Sequence, residues 1–413
     1  YFPIIIHGSF TQTALLFVWT SIYYALLPCY NIQHMKILMT GGGTGGHFYP
    51  LIAVAEEIRN ICLQEKILAP ELYFMAPDPY NTKILFDNEI TFIPCMAGKK
   101  RVGGGGTSSI LNFIDMFKMG LGVLSAIVKL YSLFPDVVFA KGGYTSFPAL
   151  MAARILGIPV IIHESDSTPG RVNAWAGKFA QRVAISYKEA VEYFPKGKTA
   201  YTGNPVRKEI RQPLSTGAFE YLGLELDVPV ILILGGSQGA QIINDAILSA
   251  LPNLVDQYQI IHQTGKRNYQ EVSTTANVIL EGNPHIGRYH PFDYLNTLAM
   301  RMSAGVASLV ISRGGSTIFE IALWGIPSIL IPITTSNGDH QRKNSYNYAR
   351  DGGAVIIEEA NLSPEIIINE LTRILGNPAT QDKMRQGAKK FARDDSAVLI
   401  AKEVLKIALK HEI

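Results

Sequence analysis

This sequence lacks the patterns that mark a metalloprotein, a disulfide-stapled domain or a nucleic-acid binder. Its three cysteines, Cys29, Cys62 and Cys95, are odd in number, scattered and without metal-ligand spacing, so they support neither a zinc site nor a disulfide framework. A reducing cytoplasm fits that usage. No Asp-X-Asp element stands beside a strand-like run, so no protein-held metal is expected. An excess of one charge is missing too: the net charge of +3 is too small to argue for nucleic acid. The only compact basic cluster, Lys99-Lys100-Arg101, reads as a solvated loop. The disorder signature is absent, because 47% of residues are hydrophobic and 17% charged.

What is present is length and glycine-rich punctuation. Domains usually run to roughly 100–200 residues, so 413 residues are enough for two sizeable cores. Residues 1–34 stand apart. Phe10 to Tyr30 is apolar and aromatic without a charge, close to the roughly 20 residues that span a bilayer. It has no positively charged leader and carries Thr11, Gln12 and Thr13, while Met35 opens a clean strand. The expectation is upstream sequence ahead of a natural start at Met35, with a membrane segment as the alternative.

From Met35 the chain alternates strand, loop and helix. Met35 to Met39 leads into Thr40-Gly41-Gly42-Gly43-Thr44-Gly45-Gly46-His47 and then a helix through Leu51, Ala55 and Ile58. A Gly-rich turn opening a helix is an anion cradle, and a histidine beside it can serve as a general base near neutral pH. Phe113, Phe117, Leu121, Leu124 and Val128 form one helical stripe, ordinarily a core face. With Lys118 and Lys129 alongside, the alternative is a face lying in a membrane surface. The strand Val137 to Ala140 precedes Lys141-Gly142-Gly143-Tyr144, and the strand Val160 to Ile162 precedes His163-Glu164-Ser165-Asp166. Polar groups at successive strand ends build one crevice. Tyr201 to Arg207 reads as a linker. A second half then begins as the first did, with Val230 to Leu234 running into Gly235-Gly236-Ser237-Gln238-Gly239-Ala240. Further strands are expected at Gln259 to His262 and Val278 to Leu280, and helices from Pro364 onward.

The most informative stretch is Leu309 to Asn344: an apolar strand, the loop Ser312-Arg313-Gly314-Gly315-Ser316, a helix stopped at Gly325, another apolar strand and a polar loop. The loop and helix N-terminus suit a diphosphate. Glu320 lies about one turn into the helix, where two carboxylate oxygens suit two ribose hydroxyls. Asp339, His340 and Gln341 follow the next strand at the same edge and suit a sugar. The fold class is therefore α/β.

Taken in order, Gly42 to His47, Gly142-Gly143-Tyr144, His163-Glu164, Gly203-Asn204-Pro205-Val206-Arg207, Gly235 to Ala240, His262-Gln263-Thr264-Gly265-Lys266 and Asp339-His340-Gln341 resemble the MurG family of bacterial transferases. These enzymes add N-acetylglucosamine to lipid I in peptidoglycan synthesis. The resemblance runs from Met35 to the C-terminus. It implies a GT-B fold with two Rossmann-like doubly wound domains facing across a cleft: 35–204 for the acceptor and the membrane, 205–384 for the UDP-sugar donor, and a helix within 385–413 packing back on the first domain.

By position, the resemblance puts Thr44, Gly45, Gly46, Asp166, Arg207, Gly236, Ser237, Gln238, Gly239, Phe292, Arg313, Gly314, Gly315, Ser316, Glu320, Gln341 and Arg342 at the donor. It puts Gly42, Gly43, Thr44, His47, Gly142, Gly143 and Tyr144 at the acceptor. Two positions depart from the family pattern, Ser165-Asp166 after His163-Glu164 and Arg342 after Gln341. An aspartate there leaves the catalytic base open between His47 and Asp166. The implied partners are UDP-N-acetylglucosamine as a substrate, lipid I, an anionic inner-membrane surface and other cell-wall synthesis proteins. No cofactor and no nucleic acid are implied. The implied location is peripheral, on the cytoplasmic face of the bacterial cell membrane. A UDP-sugar 2-epimerase, another lipid glycosyltransferase and a non-catalytic membrane scaffold are the alternatives.

Overall fold

The structure, a computed structural model, describes residues 34–98, 106–236, 239–334 and 337–411. The segment ahead of His34 and the cluster Lys99-Lys100-Arg101 lie outside the described residues. Two parallel sheets account for the strands. The first joins β1 (Lys36–Thr40), β2 (Glu71–Ala76), β3 (Ile90–Pro94), β4 (Val137–Ala140), β5 (Val160–Glu164), β6 (Arg182–Ile185) and β7 (Thr199–Tyr201) in the order β3-β2-β1-β4-β5-β6-β7. The second joins β8 (Val230–Leu234), β9 (Gln259–Gln263), β10 (Tyr289–Phe292), β11 (Ala307–Ser312), β12 (Ser328–Leu330) and β13 (Ala354–Ile356) in the order β10-β9-β8-β11-β12-β13.

Strands β4 and β8 are buried at every position, as expected of parallel strands covered on both faces. On the first sheet, α1 (Gly45–Glu65) packs one face, and α3 (Gly106–Leu133) with α4 (Phe147–Leu156) covers the other. Short helices α2 (Thr82–Asp87) and α5 (Arg171–Ala176) complete this half. On the second sheet, α6 (Ala218–Leu222), α7 (Gln241–Val255), α8 (Tyr269–Ile279), α9 (Thr297–Val306), α10 (Thr317–Trp324), α11 (His340–Arg350), α12 (Pro364–Leu375) and α13 (Pro378–Phe391) are distributed over the two faces.

Two expectations need correction. Val278 to Leu280 is not a strand but the end of α8: Val272, Ala276 and Leu280 recur every four residues and are buried, while Val278 is 68% exposed. An apolar triplet is too short for its period to be read. The strand of that region is β10, whose Tyr289-His290-Pro291-Phe292 has no clear apolar alternation. The helical stripe of α3 is not core either. Phe113, Phe117, Leu124 and Val128 are 62–68% exposed, and α3 turns Ala126 and Leu130 inward instead.

The chain crosses back once at its end. The last helix, α14 (Ser396–His411), places Ile400, Ala401, Val404, Leu405, Ile407 and Ala408 in the core cluster beneath α1. Residues 385–391 belong instead to α13, on the second sheet. Arg211 pins the crossing: it donates to Glu57 of α1 at 2.7 Å and to the Asp394 carbonyl at 2.7 Å. Trp324 adds a bond from its indole N–H to the Ile210 carbonyl, at 2.7 Å. The Arg211 bond ties the second half to α1, while the Trp324 bond holds the linker to α10 within the second half.

Candidate functional site

In each sheet the strand order reverses at one place, between β1 and β4 in the first and between β8 and β11 in the second. Crevices at the carboxyl ends of such neighbours are where open α/β sheets bind ligands. The loops leaving these four strands are Gly41 to Thr44, Lys141 to Gly143, Gly235 to Ala240 and Arg313 to Ser316, the glycine-rich turns of the sequence. Thr44, Gly235, Gly236, Gly239, Arg313, Gly315 and Ser316 of these loops line one cavity of about 590 Å³ between the halves, whereas Gly42, Gly43, Gly142, Gly143 and Tyr144 stand outside its lining.

The second half contributes two helix N-termini, those of α7 and α10, behind backbone loops. Gly239 sits at φ +79°, and a Cβ there would collide with the Thr264 carbonyl, so glycine alone lets this turn pass so close to β9. Ser237 and Gln238 lie outside the described residues. Glu320, in the first turn of α10, lines the cavity and has no hydrogen-bond partner among the described residues. Burial pushes its carboxyl up to about 7, with Arg207 pulling the other way. A carboxylate left unpaired in a burial-shifted site awaits donors from a ligand. Gln341 also lines the cavity, and its Oε1 accepts from Ile333 N–H at 3.3 Å.

The first half contributes His47, half-buried at the start of α1, with Nδ1 and the Thr44 hydroxyl 2.8 Å apart. Burial holds its imidazole well below the ordinary histidine range, and Lys141 adds to this, while Asp166 opposes it. The ring lies against the glycine turn after β4, since a Cβ on Gly143 would sit 3.7 Å from Nε2. Gly43 in turn adjoins Tyr144. Asp166 lines the cavity from the loop after β5.

The structure brings together Thr44, Gly45, Gly46, His47, Asp166, Arg207, Gly236, Gly239, Arg313, Gly315, Ser316, Glu320 and Gln341 around this one cavity. Other expected residues stand elsewhere. Arg342 is half-exposed on a separate groove, bonded to Glu358 at 2.8 Å. Phe292 packs against the core and does not line the cavity. Gly314 is buried under α11, its backbone against Gln341 and Ser345. Arg313 Nη1 donates to Glu359 at 2.6 Å and to the Ile331 carbonyl at 3.0 Å, which anchors this side chain on Glu359. His163 and Glu164 are buried behind the wall rather than in it. His163 Nε2–H donates to the Gly203 carbonyl at 2.9 Å, and its Nδ1 accepts from Lys141, which also donates to Asn204 at 2.8 Å.

Residue-by-residue reading misses the contacts that join the halves. Tyr49 and Tyr294 share a hydroxyl hydrogen bond of 2.9 Å, and the Arg207 guanidinium stacks 4.3 Å over the Tyr49 ring. Gly46 approaches Ser316 so closely that a Cβ would lie 2.9 Å from the serine Oγ. Nothing local in the sequence marks Tyr294. Lys141, adjoining the Gly142-Gly143 turn, is the one missed residue with a visible signal, a charged side chain directly after an all-apolar strand.

Two doubly wound sheets with glycine loops opposed across a cleft, a diphosphate-type cradle on one side and a histidine on the other, define a nucleotide-sugar enzyme of GT-B type. Two family models divide the chain between them: the glycosyltransferase family 28 N-terminal domain matches residues 37–185, and its C-terminal domain matches residues 230–400. A UDP-N-acetylglucosamine–N-acetylmuramyl-(pentapeptide) pyrophosphoryl-undecaprenol N-acetylglucosamine transferase of Bacillus cytotoxicus is 31% identical, over 91% of this chain and all of its own length. The enzyme of the same name from Treponema denticola is 33% identical, over 88% of this chain and 96% of its own. In fold the chain is similar to Acinetobacter baumannii MurG, with a TM-score of 0.65, 24% identity and coverage of 90% of this chain and 99% of that one. It is similar too to a UDP-GlcNAc 2-epimerase from Neisseria meningitidis, with a TM-score of 0.62, 17% identity and coverage of 90% and 100%. The chain belongs to glycosyltransferase family 28 and, within it, to the MurG family of N-acetylglucosamine transferases.

Proposed function

We propose that this protein transfers N-acetylglucosamine from UDP-N-acetylglucosamine to the 4-hydroxyl of the N-acetylmuramyl unit of lipid I, giving lipid II. The observation that carries the reading is the unpaired Glu320 carboxylate across the cleft from His47, each beside its own glycine cradle. In the donor half, Glu320 accepts from the ribose hydroxyls and Gln341 bonds the sugar. The Gly235 to Gly239 and Arg313 to Ser316 backbones, with the helix N-termini behind them, receive the diphosphate. In the acceptor half, the turns that carry Gly42, Gly43, Gly142, Gly143 and Tyr144 receive the acceptor diphosphate, with Gly143 against the His47 ring.

The reaction is a single inverting displacement. The acceptor oxygen bonds to the anomeric carbon, the bond from that carbon to the UDP oxygen breaks, and UDP leaves with the electron pair. The proton passes to His47 Nε2. When Nδ1–H donates to the Thr44 hydroxyl, the Nε2 lone pair is free to accept, and a depressed pKa keeps the ring unprotonated at neutral pH. Asp166 supports the positive charge that develops on the ring. Arg207, stacked over the Tyr49 ring and favouring the ionised Glu320, joins the donor pocket to the hinge.

The reading extends to the membrane. The exposed face of α3 carries Phe113, Met116, Phe117, Leu124, Val128 and Tyr131, each at least 62% exposed, with Lys118 exposed beside them. Apolar side chains bordered by lysine suit an anionic bilayer surface. The protein is peripheral on the cytoplasmic face, where lipid I presents its sugar. Among the described residues no helix is long and apolar enough to cross a membrane.

The test is UDP release from UDP-N-acetylglucosamine with and without a lipid I analogue. Release that requires the analogue is expected. Acceptor-independent turnover to an epimerised sugar would overturn the reading in favour of an epimerase.

A further inference from the structure

Asn344 is the last residue of the nucleotide unit and has no role in the chemistry described so far. It sits on α11 of the donor half, 1% exposed, with every polar atom of its amide engaged. Its Oδ1 accepts from the Ser167 N–H and the Ser167 hydroxyl, both at 2.9 Å. Its Nδ2 donates to Asp166 Oδ1 at 2.9 Å and to the Gly314 carbonyl at 3.4 Å. An amide has two donors and two acceptor lone pairs, so the group is saturated. Its orientation is fixed by chemistry, because a flipped amide would set oxygen against the Asp166 carboxylate and N–H against the Ser167 N–H.

Asp166 and Ser167 belong to the acceptor half, whereas Asn344 and Gly314 belong to the donor half. A single buried amide therefore joins the donor diphosphate loop to the acceptor-side carboxylate. Only one Asp166 oxygen is held by Asn344, in a residue that also lines the cavity. Neighbouring contacts across the same seam run between exposed groups, Lys343 to Thr168 at 3.1 Å and Arg350 to Glu189 at 3.2 Å. These are solvated and weak. Asn344 is the buried member.

We propose that Asn344 is a cross-cleft positioning residue, which orients the Asp166 carboxylate toward the reacting centre only while the donor half is closed on the acceptor half. Asp166 is thereby aligned when the loop that holds the donor is in place, and it is released when the halves part. The inference rests on the transferase reading for the role of Asp166, but the bridge itself can be measured without turnover.

The closing experiment compares wild type with Asn344→Ala, Asn344→Asp and Ser167→Ala. Hydrogen exchange in the absence of substrate reads the bridge directly. The Ser167 amide exchanges slowly in wild type and at least roughly tenfold faster in Asn344→Ala; equal rates would overturn the proposal whatever the enzyme does. In turnover, Asn344→Ala lowers kcat by roughly 10–100-fold, as expected of a reacting group misplaced by about 1 Å, while the Kd for UDP stays within about twofold of wild type. Asn344→Asp sets a second carboxylate against Asp166, and the acid limb of the kcat profile moves to higher pH. Ser167→Ala keeps the bond to Asp166 and retains wild-type kcat. A purely structural role predicts the opposite split, weakened UDP binding at unchanged kcat and a pH profile superimposed on wild type, and that result would overturn the assignment. Loss of acceptor-dependent turnover in wild type would instead strike the transferase reading, and the exchange measurement would still decide the bridge.

Discussion

Glu320 supplies the sharpest prediction, because its burial couples donor binding to pH. Burial pushes the carboxyl up to about 7, whereas ribose hydroxyls need the ionised form as acceptor. With a pKa near 7, roughly one tenth of the molecules are ionised at pH 6 and roughly nine tenths at pH 8, and apparent affinity scales with the competent fraction. The KM for UDP-N-acetylglucosamine should therefore fall roughly tenfold between those pH values, with the lipid I analogue held saturating. Hydrogen bonds to a charged group are worth about 1.5–3 kcal/mol each. Losing about 3 kcal/mol in all by Glu320→Ala corresponds to roughly 150-fold in donor KM, at little change in acceptor KM.

Glu320→Gln should raise donor KM less than alanine does and flatten its pH dependence. Stability moves the other way. A carboxyl whose pKa is higher folded than unfolded penalises the fold above its ordinary range near 4.5, increasingly until about 7. Glu320→Gln should thus raise the melting temperature at pH 8 and leave it unchanged at pH 4. A wild-type donor KM that is flat from pH 6 to 8, or a glutamine variant that keeps the slope, would refute the reasoning.

Four further outcomes are expected. Lys141 depresses the His47 pKa, so Lys141→Met should raise it, seen as an upward shift of the His47 imidazole titration by NMR. Arg211→Met leaves Glu57 buried without its partner, which should cost roughly 3 kcal/mol in urea unfolding, with most of that recovered by adding Glu57→Gln. Gly46→Val pushes a side chain into Ser316 and should lower kcat/KM roughly fivefold or more, the scale of about 1–3 kcal/mol of overpacking, with partial rescue by Ser316→Ala. Phe117→Asp with Leu124→Asp, in the full chain, should reduce cosedimentation with anionic vesicles while leaving UDP affinity unchanged.

The legible part of this protein was the part with short range. Parallel strands buried on both faces read as apolar runs, and the turns after β1, β4, β8 and β11 read as glycine loops, because each needs a particular backbone within a few residues. Glu320 was legible for the same reason, being one turn from its own loop. Where a local signal was ambiguous the reading failed: Val278 to Leu280 is too short to separate strand from helix, and β10 carries no alternation.

The α3 stripe shows a different limit. Its period gives a helix, but no sequence pattern says whether an apolar helical face meets a core or faces outward. That was settled by which face α4 covers, and it covers Ala126 and Leu130. The site divides in the same way. Short runs of residues carried two glycine cradles, with a histidine after one and a carboxylate after the other. Only the tertiary structure decided that Gly46 meets Ser316, that Arg207 lies over Tyr49, that Arg342 and Phe292 stand away from the cavity, and that Asn344 reaches Asp166 across 178 positions of chain. Such contacts join surfaces on separate sheets, brought together by packing between residues far apart in the chain rather than by any local run of residues.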